Sequence, residues 1–353
     1  MSRLSVIGSA RMAATALVAA LGGLVASALH LPLGWLIGAM LATAALTLMK
    51  LPTAVVPNSR QAAQGFIGIA AGLRMTPEVA ARLVALLPVM LAAALTVIVF
   101  SCLISLALSR FTRLDPDTAF FSSLPGGIAE MAVLSERYGG NPGLVSIGQF
   151  LRILLVTLAI PQIVTVFPDH ATIADGATAA GHGSLLPLLL LCIIGVPVAL
   201  AVTRFRVPNS WLLSGIIVGA IAGLLNLGSI YIPADALKIA QIAVGITLGA
   251  RCTRSVFRDG HATLPGNIAG TAVLITFSSL LAVVIGYFLH IDPVSLILAL
   301  APGGIAEMSL VAKQVGADVV LVVAFHLVRV IMVLTLALFL KRIFTGRGRE
   351  TAQ

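Results

Sequence analysis

Charge is the scarcest commodity in this sequence. Asp, Glu, Lys and Arg supply only 10% of its 353 residues, 59% are hydrophobic, and the mean hydropathy is +1.08. That balance excludes an ordinary soluble domain. Aromatic residues are also few, at 5%, and no basic patch interleaves with them, so nucleic acid is excluded as a partner despite a formal net charge of +9. The basic residues instead flank apolar runs, where they orient membrane spans. Three cysteines, Cys102, Cys192 and Cys252, are too few and too far apart for a disulfide framework or a metal knuckle, and read as small apolar fillers. The six histidines are dispersed, with no pair at i, i+3 or i, i+4. No P-loop, Ser-His-Asp set or dinucleotide fingerprint occurs. The expectation is a protein that is not an enzyme, takes no cofactor or metal, and does not hydrolyse ATP by itself.

What fills the chain is apolar helix. Runs of roughly 17 to 25 residues, each long enough to cross a bilayer, recur from end to end, so the fold class expected is an all-α polytopic membrane protein. The first run, with its basic flank and small-residue end, has the look of a signal peptide. A homologous run at 185–203 lies in mid-chain, where nothing can be cleaved away, so the first is read as a retained helix.

An internal repeat carries that argument. Sliding the chain by 177 residues places PGGIAEM at Pro125 on PGGIAEM at Pro302, Asp115-Pro116 on Asp292-Pro293, Gln149 on His326 and Arg152 on Arg329. Gln64, Gly68 and Gly72 fall on Gln241, Gly245 and Gly249. The chain thus divides into a first repeat at 1–166, a polar link at 167–184, a second repeat at 185–342 and a basic, polar tail at 343–353.

Six candidate segments stand in each half. If all twelve cross with the N-terminus inside, the basic residues split eleven inside to nine outside, which is no bias. If the PGG segment of each half instead enters and returns on one side, sixteen lie inside and only Arg74, Arg82, Lys238 and Lys313 outside, the expected asymmetry. Five crossings per half force the two repeats into opposite orientations, the inverted repeat of many secondary transporters. Pro125-Gly126-Gly127 and Pro302-Gly303-Gly304 break the helix, because proline cannot donate and glycine accepts unusual dihedrals. A discontinuous helix that crosses is the alternative to a re-entrant hairpin. Broken backbone at membrane depth requires protein or a water-filled cavity beside it.

Two readings stand for each polar residue in the motif regions. Glu130 and Glu307 bind a coupling proton or sodium, or a cationic group, or else they pair with Arg152 and Arg329. The two arginines hold an anionic solute, or lock helices together. Gln149 and His326, three residues earlier on the same face, line a polar cavity or join that lock. The amides after each Pro-Gly-Gly open a helix N-terminus suited to an anion, with Ser122, Ser123 and Asn141 nearby. The glycine stripes after Gln64 and Gln241 read as close helix packing, with the two glutamines as the remaining ligand candidates.

The doubled PGGIAEM, the PLGWLIGAML span and the GLR after the third segment resemble the AbrB-type integral membrane proteins of Gram-negative bacteria, built from a duplicated membrane domain and distinct from the soluble DNA-binding regulator of that name. Labels within that family, ammonia monooxygenase and aidB regulator, imply oxidation chemistry or an effect on gene expression; this sequence has neither a metal cluster nor a DNA-binding module to support them.

Together these readings give an inner-membrane secondary transporter for a small polar or anionic organic solute, coupled to protons or sodium. Its cores are 61–166 and 238–342, and the first two spans of each half form a scaffold that can also pair with a second copy. Its partners are the bilayer and a small-molecule or ion substrate. The alternative is a membrane sensor that acts on gene expression indirectly.

Overall fold

The computed structural model describes residues 3–29, 31, 33–112, 114–166, 185–205, 209–225, 230–254, 258 and 263–344. The central link expected at 167–184 and most of the tail lie outside them. Among the described residues there are fourteen α-helices and no strand, seven helices in each half. In the first half they are α1 (Arg3–Ala28), α2 (Gly34–Leu48), α3 (Ser59–Gly72), α4 (Pro77–Thr112), α5 (Pro116–Ser123), α6 (Ile128–Arg137) and α7 (Pro142–Val164). The second half repeats the order as α8 (Leu186–Arg204), α9 (Ser210–Leu224), α10 (Ala234–Gly249), α11 (Leu264–Leu289), α12 (Pro293–Leu300), α13 (Ile305–Gln314) and α14 (Val319–Phe344).

Six of them, α1, α4, α7, α8, α11 and α14, are long and apolar enough to span a membrane. The chain is an all-helical, multi-pass membrane protein. Its exposed face agrees with this: Leu17, Leu21, Leu189, Ile193, Leu280 and Phe288 are all more than half exposed, a surface suited to lipid tails. α2 and α9, 15 residues each, reach only about 22 Å at 1.5 Å per residue.

The helices gather into two compact units, and each draws on both halves. One contains α1–α3 and α8–α10; the other contains most of α4, then α5–α7, α11, α12 and most of α14. In the first unit the halves exchange partners: α3 packs on α9, and α10 packs on α2. Glycine makes the exchange possible, because a Cβ at Gly68 would strike the backbone of Leu212 and Ile216, and one at Gly245 that of Leu36 and Met40. The stripes are packing seams, as small residues at helix crossings usually are. This corrects one expectation. The cores expected at 61–166 and 238–342 begin with the third helix of each half, but α3 and α10 are bound into the unit of the first two spans by backbone-to-backbone seams.

Candidate functional site

The second unit contains both Pro-Gly-Gly breaks. Asp115 starts α5 by accepting a hydrogen bond from the Thr118 amide at 2.8 Å, with Pro116 in the first turn. Asp292 starts α12 in the same way, capping Val294 and Ser295 ahead of the corresponding turn. Each helix then runs for only 8 residues before the Pro-Gly-Gly break.

In the first half the chain turns back on itself at that break. After α6 the amide of Asn141 donates to Thr118 Oγ1 at 2.7 Å, and Gly140 lies against the backbone of Asp117 and Thr118. The end of α6 is therefore beside the start of α5, and the segment is a hairpin with Pro125-Gly126-Gly127 at its tip. Lys341, near the end of α14, closes the open end. Its ammonium is 3.1 Å from Asp117 Oδ1, within 3.4 Å of the Tyr138 carbonyl and 5.2 Å from the Tyr138 ring centroid.

At the tip the two arginines take up the free carbonyls. Arg152 donates from Nη1 to the Leu124 carbonyl at 2.6 Å, and from Nη2 to the Gly126 carbonyl at 3.0 Å and to Gln149 Oε1 at 2.6 Å. Gln149 Nε2 donates in turn to the Phe121 and Leu124 carbonyls. The second half repeats the network position for position: Arg329 donates to the Ala301 and Gly303 carbonyls and to His326 Nδ1, and His326 Nε2 meets the Leu298 carbonyl at 3.0 Å. An acceptor at Nδ1 requires the proton on Nε2, so His326 presents the same donor and acceptor pattern as Gln149. The carbonyls that end α5 and α12 are the negative poles of those helices, and a buried guanidinium is the group best able to satisfy them.

The sequence left the arginines between anion binding and helix locking. Their Nη atoms are locks. Because Arg152 is used in this way, it forms no ion pair with Glu130. Instead Glu130 and Glu307 curl back over their own helix starts. Gly127 is the cap residue of α6, Glu130 is the third helical residue, and a Cβ on Gly127 would overlap Glu130 Oε2. Gly304 stands in the same relation to Glu307. A carboxylate at that position sits at the positive end of the helix and reaches toward the cap, as in a capping box. The first glycine of each motif has a different neighbour: Gly126 faces Met131, and Gly303 faces Met308 and Val156. Glu307 is 1% exposed and Glu130 is half-buried.

Gln64 and Gln241 are buried on α3 and α10 in the first unit, and the other candidates belong to the second. Sequence reasoning missed Asn267 and Thr271 on α11, which with Ser122, Ser123 and Arg152 line a cleft inside the second unit. Their signal was present as two polar residues at i, i+4, each preceded by a glycine, Gly266 and Gly270, near the start of a largely apolar helix.

An all-helical membrane protein with a duplicated broken-helix motif is the class these features define. The chain belongs to the AbrB family: the family profile, described as Transition state regulatory protein AbrB, matches residues 35–345. It is 28% identical over 345 residues to "Uncharacterized protein YhjN" of Bacillus subtilis (strain 168), covering 90% of this chain and 89% of that one. It is also 26% identical over 313 residues to "Putative regulator AbrB" of Escherichia coli (strain K12), covering 87% and 88% respectively. No solved structure matches.

Proposed function

We propose that this chain is a secondary transporter of the bacterial inner membrane, and not an enzyme, moving a small polar or anionic organic solute by alternating access around its two PGGIAEM motifs. One observation carries this reading: in each half a buried arginine holds a helix open at Pro-Gly-Gly, and a carboxylate crowns the start of the helix beyond. Irregular backbone and carboxylates at membrane depth are costly and are kept where an ion or solute passes. Glu130 and Glu307 are assigned to the coupling proton or sodium, and the arginines to holding the breaks in shape.

The topology behind this reading has five crossings per half, with both halves in opposite orientations. Several contacts support it. Lys341 with Tyr138, Arg254 with the Leu48 carbonyl, Lys238 over Trp35, and Arg82 with Asp318 each join residues that this topology puts on one side. Twelve crossings would put the members of the first three pairs on opposite sides.

Reconstituted protein should take up its solute from a panel of organic acids and amino acids under an imposed proton or sodium gradient. Glu130→Gln/Glu307→Gln should bind that solute but no longer concentrate it. Gradient-driven uptake that survives in the double variant would remove the carboxylates from coupling. The printed name of the Escherichia coli relative favours a second reading, a membrane regulator. A stoichiometric cytoplasmic partner recovered with a protein that moves no solute would decide for it.

A further inference from the structure

The cleft in the second unit, between α4, α5, α7 and α11, has a chemistry that its repeat equivalent lacks. We propose that it is a binding site for the carboxylate group of a small monoanionic solute, carried by Arg152 Nε, Ser122, Asn267 and Thr271. The proposal rests on the transport reading for its role, and on the geometry alone for binding.

Three observations converge. First, Arg152 has committed both Nη atoms to the hairpin tip, but its Nε–H has no partner although the residue is only 4% exposed. Ser122 Oγ, in a residue 3% exposed, is also without a partner. Buried donors left unmade cost stability, so two beside one cleft indicate a missing acceptor. Second, the side chains converge: Asn267 Oδ1 and Ser122 Oγ both crowd the Cα of Gly148, where a Cβ would lie 2.9 Å from the first and 3.2 Å from the second; Oδ1 is an acceptor, so Asn267 serves an anion only through Nδ2. Asn267 is held in place by donating to the Thr263 carbonyl at 3.0 Å, which leaves its second amide hydrogen for a ligand. Third, the lining contains a guanidinium and no carboxylate, so the complementary charge is negative.

Size narrows the class. The cleft offers about 20 Å³ of cavity volume, room for one or two water-sized groups and no more. A carboxylate head fits this, with any short tail directed outward along Ile104, Leu108 and Leu274.

The repeat supplies an internal control. Under the 177-residue shift Ser122 and Ser123 become Ala299 and Leu300, while Asn267 and Thr271 correspond to Met90 and Ala94. Arg329 Nε, in a residue 4% exposed, is likewise without a partner, but around it every added polar group is replaced by an apolar side chain. The free Nε is thus common to both motifs, and the hydroxyls and the amide are what single out the cleft beside Arg152.

The test uses purified full-length protein in nanodiscs, with unfolding followed by a thiol-reactive fluorophore on the buried Cys102 and Cys252. The probes are sodium formate, acetate and glycolate, with sodium chloride at equal ionic strength as the reference. Acetate or glycolate should raise the unfolding temperature saturably, and Ser122→Ala and Thr271→Val should each raise the half-saturating concentration about tenfold, the loss of one hydrogen bond to a charged ligand. Asn267→Leu should abolish the shift. Unliganded unfolding temperatures of Ser122→Ala and Thr271→Val should match wild type, so two interpretable variants remain even if Asn267→Leu fails to fold. No shift with any of the three anions, or the same half-saturation in wild type and both hydroxyl variants, overturns the site. Variant-sensitive binding by a protein that moves no solute would sustain the site and defeat transport. Transport of another solute class with no carboxylate binding would do the reverse.

Discussion

Neither Gly127 nor Gly304 can accept a methyl group without displacing a carboxylate, because Glu130 and Glu307 fold directly over them. Gly127→Ala should push Glu130 off the start of α6; because the displaced atoms are the free end of a long side chain, stability should fall only by the ~0.3–1 kcal/mol of a charge at a helix terminus, seen as a small fall in unfolding temperature that Gly127→Ala/Glu130→Ala does not deepen. If the double variant is clearly less stable than the single one, Glu130 still stabilises the fold after its displacement. His326 makes a sharper case. It copies Gln149 in donating to one carbonyl and accepting from an arginine, so His326→Gln should cost under about 1 kcal/mol, whereas His326→Leu leaves an Arg329 donor and the Leu298 carbonyl unpaired at about 1–3 kcal/mol each. A thermal melt of both variants checks the contrast. Pairing Gln149 with His326 was legible from the repeat, and the spacing put each on the face of its arginine. The fold-back of the glutamates was legible too, as a carboxylate three residues after a cap position, but a glycine cap hides the usual Ser or Thr signature of a capping box.

At the scale of the element, the short helices α5 and α12 depend on groups outside themselves. An 8-residue helix is marginal alone, and its last carbonyls face protein instead of water. Arg152→Met should therefore open the hairpin tip: amide exchange across residues 120–128 should quicken by at least about tenfold, the effect of losing a charge-assisted bond to a buried carbonyl, while exchange in α1 and α2 stays unchanged. Uniform acceleration throughout would mean that the arginine stabilises the whole fold and does not act as a local cap. The break itself was readable from Pro-Gly-Gly. Its partner was not, because the carbonyl acceptors lie 26 to 28 residues from the guanidinium, and a sequence shows no preference between such a lock and an ion pair with Glu130. The misassignment of α3 and α10 has a similar cause. Glycine stripes declare that a helix packs closely, and they do not say on which partner.

For the molecule as a whole, orientation is the quantity on which the transport reading depends. The first-half hairpin returns to its own level, with Asn141 on Thr118, so α5 and α6 together contribute no crossing. The parity of that half then rests on α2 and α3. These helices of 15 and 14 residues are shorter than the ~20 that a ~30 Å core asks for, but local thinning and snorkelling accommodate such mismatch at modest cost. If both cross, the count is five; if neither does, it is three. Either number is odd and inverts the second half. Only one short helix crossing without the other would leave the halves parallel. A cysteine introduced at Ala179, in the link beyond the described residues, tests this in a background lacking Cys102, Cys192 and Cys252. With the N-terminus inside, an odd count places residue 179 outside, where an impermeant maleimide added to intact cells should label it fully. Cysteines at Arg110 and Arg137, one on each side of the first hairpin, should both be labelled only after permeabilisation. Labelling at 110 and 137 from outside with protection at 179 would reverse the chain and leave the halves inverted, whereas 110, 137 and 179 all on one side would give the halves the same orientation, and the paired motifs could no longer be approached from opposite faces of the membrane.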